Sequence, residues 1–223
     1  MLKMKKLALL PLLLLALNAR AEEREWIPYK KLVEASYLDK FYAIPAAERD
    51  KIQYFVKVVP QNKAIKAADL TLAVLDGGER HVVPLLAGGR FQMTPNAKWL
   101  ASEAKTLISL PKTEKAGIGM DMTTPIPDGT QWRYAPLMSS VEQSNAVIKK
   151  VAGAFSMFAP TIKVVVFKFN QPAQLRIDSK DGVKTYSSDA KGQIRLKPDS
   201  ALLKENPLMI ASERPFEAEL DTE

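Results

Sequence analysis

Ala68-Asp69-Leu70-Thr71-Leu72 leads to Asp76-Gly77, and Ala173-Gln174-Leu175-Arg176-Ile177 leads to Asp181-Gly182, at an ungapped offset of 105 (173 minus 68). Each stretch alternates apolar and polar residues and stops at Asp-Gly, which suits a tight hairpin turn. Further on, Gly89-Arg90-Phe91-Gln92-Met93-Thr94-Pro95-Asn96 matches Gly192-Gln193-Ile194-Arg195-Leu196-Lys197-Pro198-Asp199 at an offset of 103 (192 minus 89). The second hairpin is therefore shorter by two residues. The match continues through Trp99-Leu100 against Leu202-Leu203, and Leu107 against Ile210. Upstream, Val56-Lys57-Val58 answers Phe167-Lys168-Phe169, and Pro28 with Val33-Glu34 answers Pro136 with Val141-Glu142. Few residues are identical, but apolar positions and turn residues keep their order. A period of this size is a domain and not a solenoid repeat.

Each unit reads as one helix followed by short strands. The first helix is expected over 29–42, after Pro28. The second is expected over 141–158, with Ser139 or Ser140 as N-cap and Glu142 or Gln143 completing a capping box. Val141, Ile148, Val151, Phe155 and Phe158 give it one apolar stripe, and Pro160 ends it. Strands are expected at 55–59, 70–74, 90–93 and 106–110, and at 164–169, 175–177, 184–186, 193–196 and 208–211. Helical turns are expected at 97–104 and 200–205. Ile118, Met120 and Met122 alternate and close the first unit; Phe216, Ala218 and Leu220 close the second. The expected fold class is α+β, mainly β, as two tandem small antiparallel β-sandwich units, each preceded by one helix. Unit one covers 22–122, a linker 123–138, and unit two 139–223.

These turn and core motifs resemble a family of small proteobacterial periplasmic proteins of unknown function. More loosely, they are similar to transthyretin-like and carboxypeptidase-regulatory-like β-sandwich modules. The resemblance covers roughly 52–122 and 162–221. It implies a non-catalytic accessory module of the cell envelope and brings no active site with it.

Residues 1–21 read as a cleaved secretory signal. Lys3, Lys5 and Lys6 precede an apolar run over 7–17, and Ala19-Arg20-Ala21 sets a cut after Ala21. The run is too short to cross a bilayer, for which roughly 20 residues are needed. The expected location is the periplasm, with no integral membrane segment in the mature chain. The 32 basic and 25 acidic residues give +7, but Lys3, Lys5, Lys6 and Arg20 leave with the signal, so the mature chain carries 28 minus 25, or +3. A mild, dispersed charge does not suit nucleic acid. The chain has no Cys, hence no disulfides and no thiol chemistry.

Catalytic groups are sparse. One His, at 81, cannot build a His-based zinc site, and no Gly-x-Ser-x-Gly elbow accompanies it. Asp39, Glu48 and Asp50 sit around a helix end, and Asp178, Asp181 and Asp189 around a hairpin, where turn chemistry explains them. Gly77-Gly78 and Gly88-Gly89 are hairpin glycines and not a phosphate loop. Met120 and Met122 align with Ala218 and Leu220 and are expected to be core, not copper ligands. No catalytic residue, cofactor or metal is expected. Trp132, Arg133 and Tyr134, with Trp26 at the parallel place, precede the helices as a candidate contact site, or as plugs that seat each helix. The expected function is an exported, non-catalytic accessory or binding protein acting on an envelope protein or glycan. The alternatives are a periplasmic hydrolase using loop carboxylates, or a structural subunit that pairs through strand edges.

Overall fold

The computed structural model describes residues 22–223; the export signal expected at 1–21 lies outside them. The chain opens on a strand, β1 (Arg24–Pro28), followed by α1 (Tyr29–Ala35) and α2 (Leu38–Ala43). One helix was expected here. It is broken because Tyr37 takes φ 53, outside the helical region, while the Ser36 hydroxyl turns back onto the Leu32 carbonyl at 2.6 Å. Then come β2 (Gln53–Pro60), β3 (Leu72–Asp76), β4 (Glu79–Val83), β5 (Arg90–Phe91), α3 (Ala97–Ala101), β6 (Lys105–Ile108) and β7 (Ala116–Thr123). The second half has β8 (Gln131–Arg133), α4 (Tyr134–Met138), α5 (Ser140–Ala152), β9 (Val164–Lys168), β10 (Gln174–Ser179), β11 (Gly182–Ser187), β12 (Gln193–Leu196), α6 (Ser200–Glu205), β13 (Leu208–Ala211) and β14 (Glu217–Asp221). β8 and α4 lie within 123–138, the stretch read as linker.

The fold is α+β, mainly β, with antiparallel sheets throughout. One sheet has the order β1-β6-β3-β4 and another β8-β13-β10-β11. The third has six strands, β5-β2-β7-β14-β9-β12, and crosses both halves. The closing strands β7 and β14 meet at its centre, at one residue pair, Thr123 opposite Glu219. The Thr124 N–H adds a hydrogen bond to the Ala218 carbonyl at 2.9 Å. One apolar core runs through both halves, from Leu72, Val56 and Phe91 to Phe167, Val165 and Leu175.

The same contacts recur at matching places. The Tyr29 hydroxyl accepts from the Asn96 N–H, and the Tyr134 hydroxyl from the Asp199 N–H, both at 2.9 Å. Asn96 caps α3 through the Lys98 and Trp99 N–H groups, and Asp199 caps α6 through those of Ala201 and Leu202. Ser109 accepts from the Thr71 N–H, and Ser212 from the Gln174 N–H, so β3 and β10 match at an offset of 103 (174 minus 71) and not 105: Gly77-Gly78 corresponds to Lys180-Asp181, and the two hairpins are equal in length. A Cβ on Gly89 would stand 2.9 Å from the Val58 carbonyl oxygen, and one on Gly192 would stand 2.6 Å from that of Phe169.

These bonds place Tyr29 against Tyr134, not Pro28 against Pro136. Trp132 then matches Ile27, and Trp26 lies one residue earlier, where the pairing of β1 with β6 shifts register between Glu25 and Pro28 and both Trp26 and Ile27 pack against the core. The expected capping box on α5 also does not form. Ser139 makes no side-chain cap; its hydroxyl donates to the Ala135 carbonyl, and Ser140 does the same to Leu137. Gln143 instead reaches the first half, accepting from the Lys51 N–H and donating to Asp50.

Candidate functional site

Away from the Thr123–Glu219 contact β7 and β14 have no further residue pairs, and a cleft of about 680 Å³ lies there. Met120, Met122 and Leu220 line its sheet side, α2 gives Phe41 and Lys40, and α5 gives Val147, Ile148 and Val151. Tyr54 stacks on Phe41 with ring centroids 4.6 Å apart, and its hydroxyl donates to the Ser36 carbonyl at 2.6 Å. Burial pushes the Tyr54 phenol above its ordinary pKa, which keeps that donor protonated.

The far wall departs from the expected continuous helix. Helix α5 stops at Ala152 because Gly153 takes φ 56, and a tighter turn carries Gly153–Phe158. The apolar stripe therefore runs off the core. Phe155 is 74% exposed, Met157 79% and Phe158 80%, with both phenylalanines lining the cleft. The helix itself is anchored: the Asn145 side chain both donates to the Ile162 carbonyl and accepts from the Ile162 N–H. Met120, expected in the core, is 44% exposed. Its strand shares the face of Val56, but the divergence from β14 leaves it uncovered.

Three carboxylates also border the cleft, each paired with a cation: Asp121 with Lys57 at 3.0 Å, Glu219 with Lys168, and Asp221 with Arg195 at 2.6 Å. The Arg195 guanidinium holds the Asp221 carboxyl below its ordinary range. Burial alone would raise the Glu217 carboxyl, but Lys168 and Arg90 outweigh it and hold it low. Pairing of this kind favours ionised carboxylates, not a poised general acid. Lys40 differs: its ammonium lies 5.3 Å from the Tyr37 ring centroid and donates weakly to the Val151 carbonyl at 3.4 Å. The site can enclose an apolar body and offer it one cation.

The residues singled out from sequence lie elsewhere. Trp132 and Tyr134 are buried, and the Trp132 indole donates to the Pro127 carbonyl at 3.0 Å. Trp26 is half-buried, with its indole on the Ala116 carbonyl at the start of β7. Arg133 is exposed and reaches the Asn206 carbonyl at 3.4 Å. His81 lies on β4, its ring 5.0 Å from that of Trp99 and its Nε2 3.7 Å from Glu79. Glu48 pairs with Lys150, Asp178 with Arg176, and Asp189 accepts from the Lys191 and Gln193 N–H groups. Among the described residues no three His, Cys, Asp or Glu side chains are grouped to hold a metal, and no helix is long and apolar enough to cross a membrane. The signal for the cleft was Gly153: a glycine inside an apolar stripe frees whatever follows it from the helix face.

Comparison with known proteins finds no matching family model, no matching curated protein and no matching solved structure.

Proposed function

We propose that this chain is an exported, non-catalytic binding or accessory protein of the bacterial envelope, and that its binding surface is the cleft beside β7 and β14. The observation that carries this reading is the grouping of Phe155, Met157 and Phe158, each at least 74% exposed, beside an apolar cleft. Clustered exposed apolar side chains mark interaction sites. The recurring strand order and the paired hydrogen bonds support an origin by internal duplication. Kinship with the small periplasmic proteins that the chain resembles belongs to the same proposal. So do export to the periplasm and removal of residues 1–21.

The test uses residues 22–223 and the apolar fluorophore N-phenyl-1-naphthylamine. Saturable binding is expected, weakened about tenfold in the double variant Phe155→Ser/Phe158→Ser, which corresponds to about 1.4 kcal/mol. Both positions are exposed, so the urea midpoint should hardly move. No saturable binding, or equal binding by the variant, refutes the site. For export, the full chain expressed in a bacterium should fractionate with the periplasm and begin at Glu22; retention of residues 1–21 in the cytoplasm refutes that part.

A further inference from the structure

The cleft is bordered by an open strand edge as well as by apolar side chains. In a strand, backbone N–H and C=O groups of successive residues point to opposite sides. The Thr124 N–H bonds to β14, and the Ala116 carbonyl accepts from the Trp26 indole on that same side. The Lys115 carbonyl, one residue earlier, accepts from Gln61 on the β2 side. Alternation therefore turns the backbone groups of Ile118 and Met120 away from β2. On that side they have no strand partner among the described residues, since β7 pairs with β14 only at Thr123. The edge is thus held at both ends and open between them.

We infer that the occupant of the cleft is an extended segment of a partner polypeptide, added to β7 as a further strand. The inference rests on the cleft being the binding site. An acyl chain or an amphipathic helix would cover Met120 while leaving its N–H and C=O without partners, a costly burial. An added strand satisfies both groups and turns alternate side chains onto Met120, Phe155 and Phe158. It would also continue an existing sheet, in which β7 already bonds to β2 along its whole length. Charge narrows the segment further. The carboxylates bordering the cleft are paired, whereas Lys40 is in no ion pair among the described residues. The segment therefore carries apolar residues at every second position and an acidic side chain where it passes Lys40.

The test is an array of ten-residue peptides probed with residues 22–223. One set places Val, Leu and Phe at alternating positions with one Glu. A second set has the same composition at helical spacing. The alternating set should bind at least tenfold more tightly, and replacing its Glu by Gln should weaken binding to the wild-type protein but not to Lys40→Gln. Methylating alternate backbone nitrogens of the best peptide should abolish binding, and this leaves the protein's own folding untouched. Equal binding of both sets, or full binding of the methylated peptide, overturns the inference. If the fluorophore saturates and no peptide binds, the site stands and the strand inference falls. If neither binds, both fall.

Discussion

Gly192→Ala should be one of the more damaging single-methyl changes in this protein, and its cost can be built from two parts. Gly192 has φ +70, where an L side chain is strained by roughly 1–2 kcal/mol. The new Cβ would also stand 2.6 Å from the Phe169 carbonyl oxygen, a backbone atom that can move only by shifting β9. Such overpacking costs about 1–3 kcal/mol, so the expected total is about 2–5 kcal/mol. Gly77→Ala is the control: φ is +56, but nothing lies within 4 Å of its Cβ, so only the strain of about 1–2 kcal/mol applies. Urea unfolding of the purified variants, followed by tryptophan fluorescence and fitted for midpoint and slope, measures both. Gly89→Ala should behave like Gly192→Ala, because its Cβ meets the Val58 carbonyl and the Ala67 methyl in the same way. The reasoning fails if Gly192→Ala costs no more than Gly77→Ala at unchanged slope.

Tyr29→Phe and Tyr134→Phe each remove the acceptor for one cap residue's N–H, so each should destabilise by about 1–3 kcal/mol in the same unfolding assay. A large effect in one half with none in the other would contradict the matching of the two sites. Glu217→Gln should cost about 1–3 kcal/mol at pH 7 by leaving Arg90 and Lys168 without their shared carboxylate. Because the folded carboxyl sits below its ordinary value of 4.5, its stabilisation is complete above that pH and fades as pH falls through the lower, folded value. The wild-type protein should therefore lose stability on acidification below about pH 4.5 more steeply than Glu217→Gln, and parallel pH profiles would refute this.

How legible the fold was depended on whether its causes were local. β12, α6 and β13 were readable to the residue because Gly192, Pro198, Asp199 and Pro207 bracket them. β1 and β8 were not: β8 has only three residues, and the pairing of β1 shifts register between Glu25 and Pro28, which spoils its alternation. The break between α1 and α2 falls at Tyr37, with no Gly or Pro to announce it. Alternation put Met120 and Met122 on one strand face correctly. It could not say that the face lies uncovered, because that depends on where β14, about a hundred residues away, leaves β7. The tryptophans misled for a related reason: Trp26 and Trp132 look equivalent by spacing, yet the matching bonds of Tyr29 and Tyr134 make Ile27 the counterpart of Trp132, and the pairing of β1 shifts register between Glu25 and Pro28.

The most direct measurement is amide hydrogen exchange along β7, residue by residue, by NMR. In the free protein the amides of Gly119 and Asp121, which face β2, should be protected, while those of Ile118 and Met120, which alternate with them, exchange fast. Adding the best alternating peptide should slow Ile118 and Met120 selectively. Equal protection of all four amides in the free protein, or no slowing at Met120 when the cleft is filled, would contradict the account.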